Sequence, residues 1–131
     1  MTIITNELLA SFDTSITDVA TAETLPPEIY IDEEFLAFER RAVFAKEWQC
    51  VGRASRIPNV GDFFTTTVVS ETTVAEPIIV ARAKDGEVHA FSSVCQHRGM
   101  QVEAGEGNCT KFTCVYHLWS YDLTGRLLGA P

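Results

Sequence analysis

The sequence predicts a mainly β fold, a small antiparallel sandwich or barrel preceded by one helix. Three observations lead there. Short runs rich in β-branched and aromatic residues fill the chain after Trp48, turn signals separate them, and before Trp48 one stretch has helical periodicity. With 131 residues the chain can bury roughly two-thirds of the surface its unfolded form exposes. That suffices for one core without a disulfide framework, and not for a second full domain.

Residues 1–27 are rich in Thr, Ser, Ala and acids and end in Pro26-Pro27. They read as an acidic, flexible tail with at most one weak amphipathic turn around Leu8, Leu9, Phe12 and Ile16. Residues 28–48 are the N-terminal helix segment. Asp32 can cap it, Glu33 and Glu34 fall in the first turn, and Arg40, Arg41 and Lys46 come late, which matches the sign of the helix dipole. Phe35, Phe38 and Ala42 with Leu36, Val43 and Phe44 supply the apolar face, so a helix is expected over 33–47. Residues 49–131 form the β-rich domain, with strands expected over 63–69, 78–83, 88–94, 111–116 and 119–123. Turns are expected at Asn59-Val60-Gly61-Asp62, Lys84-Asp85-Gly86 and Thr124-Gly125.

The formal charge is -8, and it is unevenly placed: residues 1–39 hold nine acids and no Lys or Arg, while residues 40–131 sum to +1. This balance argues against nucleic acid and anionic membrane surfaces, both of which select basic faces. No apolar run approaches the ~18 residues of a membrane span. The first 18 residues carry Glu7 and Asp13 but no base and only short apolar pairs, unlike a secretory leader, so a cytoplasmic location is expected. In that reducing setting Cys50, Cys95, Cys109 and Cys114 are expected to be free or metal-bound, with disulfides the alternative.

Two clusters carry the chemistry: Cys95-Gln96-His97-Arg98-Gly99, and Cys114-Val115-Tyr116-His117-Leu118-Trp119. Each supplies one Cys and one His. A structural zinc site usually opens with two Cys spaced C-x₂₋₄-C and remains the mononuclear alternative. The mixed pairs suit a Rieske [2Fe–2S] centre, in which two Cys hold one iron and two His hold the other. With two neutral imidazoles such a centre is neutral when oxidised and -1 when reduced, whereas four thiolates would give -2 and -3. Adding an electron is then easier, and the potential rises into the range of about -150 to +300 mV. Coupling of reduction to protonation of His97 or His117 at high pH is expected.

Gly99 is expected to turn the backbone so that amide N–H groups face sulfur, or to be an ordinary turn glycine. Arg98 is read as pairing with a buried carboxylate or else solvated, and Trp119 as a shield for the centre or a core residue. Cys50, Cys109 and His89 are read as packing or surface residues.

The two clusters, extended through Tyr121-Asp122, Gly125 and Leu127, resemble the α subunits of Rieske non-haem iron oxygenases, which include the aromatic-ring-hydroxylating dioxygenases. The resemblance also takes in Trp48-x-x-Val51-Gly52-Arg53, Ile57-Pro58 and Gly61-Asp62-Phe63, and covers about residues 28–131. Leu118 stands where Gly is commoner in that pattern and Val115 where Pro is commoner; neither change removes a ligand. The resemblance implies a Rieske fold with two cluster-binding loops and a [2Fe–2S] cluster on Cys95, His97, Cys114 and His117. It implies a relay from a reductase or ferredoxin to a mononuclear Fe(II) that hydroxylates an aromatic or other organic substrate. It also implies assembly as a homotrimer or heterohexamer.

High-potential respiratory Rieske proteins add a disulfide between the loops and a Ser hydroxyl two residues after the second ligand His. Met100, Tyr116 and Trp119 stand in that neighbourhood here, so a potential near the low end of the range is expected. An Fe(II) facial triad needs two His and a carboxylate, and beyond the two motif histidines the chain has only His89. The catalytic domain is therefore expected to lie outside these residues. A free-standing Rieske ferredoxin is the alternative reading.

Overall fold

Thr5 and Asp32 each start a helix. In the computed structural model, which describes residues 3–70 and 75–131, the Thr5 hydroxyl accepts the Leu8 N–H at 3.1 Å and caps Asn6–Ala10 (α1). A 3-10 turn over Ser11–Ser15 follows. The Asp32 carboxylate likewise accepts the Phe35 N–H at 2.7 Å and caps Glu33–Glu39 (α2). α2 widens into a π-helical turn over Arg40–Phe44, so helical backbone ends three residues before the expected 47. Phe12 meets the buried Phe35 edge-on, ring centroids 6.1 Å apart. The stretch read as a tail thus holds a short helix of its own, too short for a 3.6-residue period to register.

Residues 3–48, with Ser70, form one unit; residues 49–69 and 75–131 form the other. The second unit contains two antiparallel sheets. Asp62–Val68 (β1), Glu76–Arg82 (β2), Val88–Ser92 (β3) and Glu106–Asn108 (β4) pair in the order β3-β2-β1-β4. Phe112–Thr113 (β5), Ser120–Tyr121 (β6) and Leu127–Gly129 (β7) pair in sequence order. β4 and β7 were not expected. β4 reads Glu-Gly-Asn, without a β-branched or aromatic residue, and exists through its pairing with β1, Phe63 opposite Gly107.

The main core gathers Phe63, Ile79, Ala81, Val102, Phe112, Tyr121 and Leu123 together with Cys95 and Cys114. Phe63 and Phe112 meet edge-on at 5.2 Å. Ile57, Phe64 and Val80 form a second cluster. Two candidate motif residues are therefore core residues, and the loops that carry them are anchored by packing.

The β6–β7 turn is built by Asp122, whose Oδ1 accepts from Thr124 N–H (2.9 Å), Thr124 Oγ1 (2.7 Å) and Arg126 N–H (3.0 Å). Burial works to raise the pKa of this carboxyl, but those hydrogen bonds outweigh it and hold the group below the usual carboxylate value. Gly125 completes the turn at φ +85°, and a Cβ there would stand 2.6 Å from Cγ of Phe91. Gly125→Ala is expected to cost about 2–4 kcal/mol, combining a left-handed backbone with overpacking. A lower urea midpoint with an unchanged slope would register it.

Candidate metal centre

Both motifs sit in loops of one backbone plan. The first is closed by a bridge between Val94 and Gln101 and by the fully buried Ser93. The Ser93 hydroxyl donates to Glu103 O at 2.9 Å, and its carbonyl accepts Val102 N–H at 2.7 Å. Within the loop Cys95 N–H donates to Met100 O (2.8 Å) and Gly99 N–H to Cys95 O (2.9 Å). The second loop is closed by the pairing of Thr113 with Ser120. There Cys114 N–H donates to Trp119 O (2.9 Å) and Leu118 N–H to Cys114 O (3.0 Å).

Each loop reaches a left-handed residue at its fifth position, Gly99 at φ +71° and Leu118 at φ +61°. Glycine adopts this conformation freely, whereas a side chain there costs about 1–2 kcal/mol. Leu118 is the one non-glycine residue with positive φ among the described residues.

The shared plan places the cysteines at the base and the histidines farther out. Cys95 and Cys114 are 2% and 1% exposed. His97 is exposed and His117 half-buried, and their ring centroids lie 4.4 Å apart. The Trp119 ring stacks on His97 at 4.9 Å and 5°, and Tyr116 lies against His117 at 3.9 Å. Trp119 also packs on the core, as the core reading expects.

Burial raises the Cys95 pKa, but the Tyr121 hydroxyl, the His97 N–H, the Cys114 thiol and the Arg98 N–H more than offset it, so the group lies below its ordinary value. The sulfur therefore meets a ready-made set of donors that favours the thiolate, the form that binds metal. His117 lies below its ordinary value because of burial first, then the nearby His97 and Arg98. These causes favour the neutral imidazole, the form that ligates metal. Tyr121 is the residue the motif reading left without a role. Its hydroxyl lies 3.2 Å from Cys95 Sγ and accepts Gln96 N–H at 3.2 Å. Burial and the bond to Cys95 hold this phenol above its ordinary pKa, so it keeps the proton it donates. The available signal was an aromatic hydroxyl spaced seven residues after Cys114 on β6.

A single tetrahedral metal needs three or four donors converging on one point. Among the described residues no three His, Cys, Asp or Glu side chains do so. Two sulfurs at the base and two imidazoles at the tip fit instead the donor set of a binuclear cluster with two protein ligands on each iron. Arg98 is exposed and, among the described residues, has no carboxylate within ion-pair distance, which favours the solvated reading over the buried pair. Cys50 is exposed, Cys109 packs half-buried with its thiol raised by burial and by Glu103, and His89 faces Asp85 at 3.5 Å.

Residues 47–131 match the model of the Rieske [2Fe-2S] domain. The chain belongs to the Rieske family. This Rieske chain is 37% identical over 122 residues to the biphenyl 2,3-dioxygenase α subunit of Rhodococcus jostii, covering 91% of the chain and 25% of that subunit. Its fold superposes on the naphthalene 1,2-dioxygenase of a Rhodococcus species with TM-score 0.76 and 37% identity, over 97% of this chain and 28% of the other. It also matches a quaternary ammonium Rieske monooxygenase, described with inter-subunit electron transfer, at TM-score 0.71 and 35% identity over 80% of this chain and 28% of the other. The Rieske chain thus spans about a quarter of the length of its relatives and corresponds to the Rieske domain of oxygenase α subunits. No helix among the described residues is long and apolar enough to cross a membrane.

Proposed function

We propose that Cys95 and Cys114 hold one iron and His97 and His117 the other iron of a Rieske [2Fe–2S] cluster, and that this domain relays electrons within an oxygenase α subunit. The observation that carries the reading is the sorting of the donors, with buried thiols at the base of two matched loops and imidazoles at their tips. A cluster held there supplies one-electron oxidation and reduction. Cys95 and Cys114 fix the inner half within the core. His97 and His117, oriented by Trp119 and Tyr116, form the outward half through which an electron enters or leaves. Tyr121 donates a hydrogen bond to Cys95 and so favours the more negative, reduced state.

On this reading a reductase or ferredoxin supplies electrons, and a mononuclear Fe(II) outside these residues hydroxylates an aromatic or other organic substrate. The α subunits assemble as a homotrimer or heterohexamer, in which the electron crosses to a neighbouring subunit. The N-terminal tail, the helix segment and the Rieske domain then act as parts of one larger polypeptide in the cytoplasm, where the four cysteines remain thiols or ligands. The match to oxygenase relatives over 91–97% of the chain, N-terminal unit included, supports this over a free-standing carrier.

The chain purified with iron and sulfide is expected to bind two of each. It should show a reduced-state EPR signal and accept electrons from a flavin reductase without oxidising any substrate. Stoichiometric zinc in place of iron would overturn the cluster, and substrate turnover by this chain alone would overturn the division of labour.

A further inference from the structure

The two motif loops are closed at their bases in different ways. Both limbs of the second loop are strands, β5 and β6, joined by the Thr113–Ser120 pair. The first loop leaves from β3, which ends at Ser92, but its returning limb over 102–105 is not a strand. An isolated bridge between Val94 and Gln101 takes the place of a ladder there.

Two hydroxyls stand in for the missing strand. Ser93 Oγ donates to Glu103 O at 2.9 Å and accepts Glu103 N–H at 3.4 Å, so one side chain meets both main-chain groups of one residue. Thr65 on β1 repeats the device farther along the limb, where its Oγ1 accepts Gly105 N–H at 2.8 Å and donates to Gly105 O at 3.1 Å. Ser93 is the more deeply committed of the two. It is fully buried, its N–H donates to Pro77 O on β2 at 2.7 Å, and its carbonyl accepts Val102 N–H at 2.7 Å. A buried hydroxyl persists where hydrogen bonds offset its desolvation, and here all of them tie the two limbs of the first loop to the first sheet.

The consequence falls on Cys95, which lies just beyond Ser93 in the chain. Tyr121 is on β6 and Cys114 between β5 and β6, both at the second sheet, whereas Cys95 arrives from the first. The 3.2 Å between the Tyr121 hydroxyl and Cys95 Sγ therefore depends on where the first loop stands, and Ser93 holds its base. We propose that Ser93 is a positioning residue for the cluster, whose hydroxyl, paired with Glu103, fixes the first loop and keeps Cys95 Sγ within reach of the Tyr121 hydroxyl. This rests on the cluster reading above. It adds a residue that is no ligand and acts on the potential through the Tyr121–Cys95 bond.

The test uses Ser93→Ala in the full chain loaded with iron and sulfide, alone and combined with Tyr121→Phe. Alanine fits the space, and Glu103 O keeps the Gln101 Nε2 donor at 3.0 Å, so the fold and the cluster are expected to stay. The midpoint potential is expected to fall, in the same direction as in Tyr121→Phe and by less. It falls no further when Ser93→Ala is added to Tyr121→Phe, because the bond through which Ser93 acts is already gone. Hydrogen exchange over 94–102 is expected to quicken about five-fold, as the loss of one hydrogen bond allows, while exchange over 113–119 stays as it was. An unchanged potential, or an equal fall in both backgrounds, would overturn the positioning role. If alanine releases the cluster, Ser93→Thr, which keeps the hydroxyl, is expected to retain it; loss in both would make Ser93 a packing residue and overturn the proposal. Absence of a cluster in the unmodified chain would instead overturn the reading on which the proposal rests.

Discussion

Cys114→Ser is expected to abolish cluster binding while leaving the sheets in place. The thiol is 1% exposed, lies in the main core and faces the Cys95 sulfur, so it is placed as a sulfur donor inside the fold. Serine is close in size but is not a soft ligand, and its hydroxyl binds iron far less well than a thiolate. Iron per chain is expected to fall below a tenth of the unmodified value, with the visible absorbance and the reduced EPR signal lost. The far-UV circular dichroism should stay nearly unchanged. Cys50→Ser, at an exposed position outside both loops, serves as the comparison and keeps full iron. Retention of the cluster by Cys114→Ser would remove that residue from the ligand set.

Tyr121→Phe is expected to lower the midpoint potential and keep the cluster. With a cluster on Cys95, the hydroxyl at 3.2 Å from Sγ would stabilise the extra negative charge of the reduced state, and phenylalanine fills the same buried space without the donor. A hydrogen bond of this kind contributes about 1 kcal/mol net, which corresponds to roughly 40 mV at 59 mV per tenfold change for one electron. The Gln96 N–H also loses its acceptor, so a small fall in stability accompanies the shift. An unchanged potential would show that the bond acts on loop geometry alone. The bond also refines the sequence expectation of a potential at the low end of the Rieske range. The respiratory-type Ser hydroxyl is replaced by Trp119, yet a second hydroxyl still reaches sulfur. The potential is expected to lie below about +100 mV while staying above the bottom of the range.

The motifs were legible because their chemistry fixes residue types at fixed spacing. C-x-H and C-x-x-H can be read without knowing any contact, and β1 announced itself through the run Phe-Phe-Thr-Thr-Thr-Val, whereas the strands expected over 111–116 and 119–123 shrink to Phe112–Thr113 and Ser120–Tyr121 because the loop between them takes up Cys114 to Trp119. The helix start was legible through Asp32 for the same reason, since a cap is local. What escaped was set by tertiary pairing. β4 has no strand propensity and is held by its register against β1. The role of Tyr121 depends on β6 bringing it to within 3.2 Å of a residue 26 positions earlier. Arg98 could be read either as paired with a buried carboxylate or as solvated, and only the folded loop, which leaves it exposed, decides between them. Leu118 shows the opposite case: the sequence marked it as unusual, and the backbone angle gave the reason.

Two imidazoles and two thiolates sharing one binuclear cluster leave a signature in pulsed EPR of the dithionite-reduced chain, read as the hyperfine coupling of ligand nitrogen. Two strongly coupled imidazole nitrogens are expected, one lost in His97→Cys and one in His117→Cys. A spectrum with one strongly coupled nitrogen, or none, would contradict it.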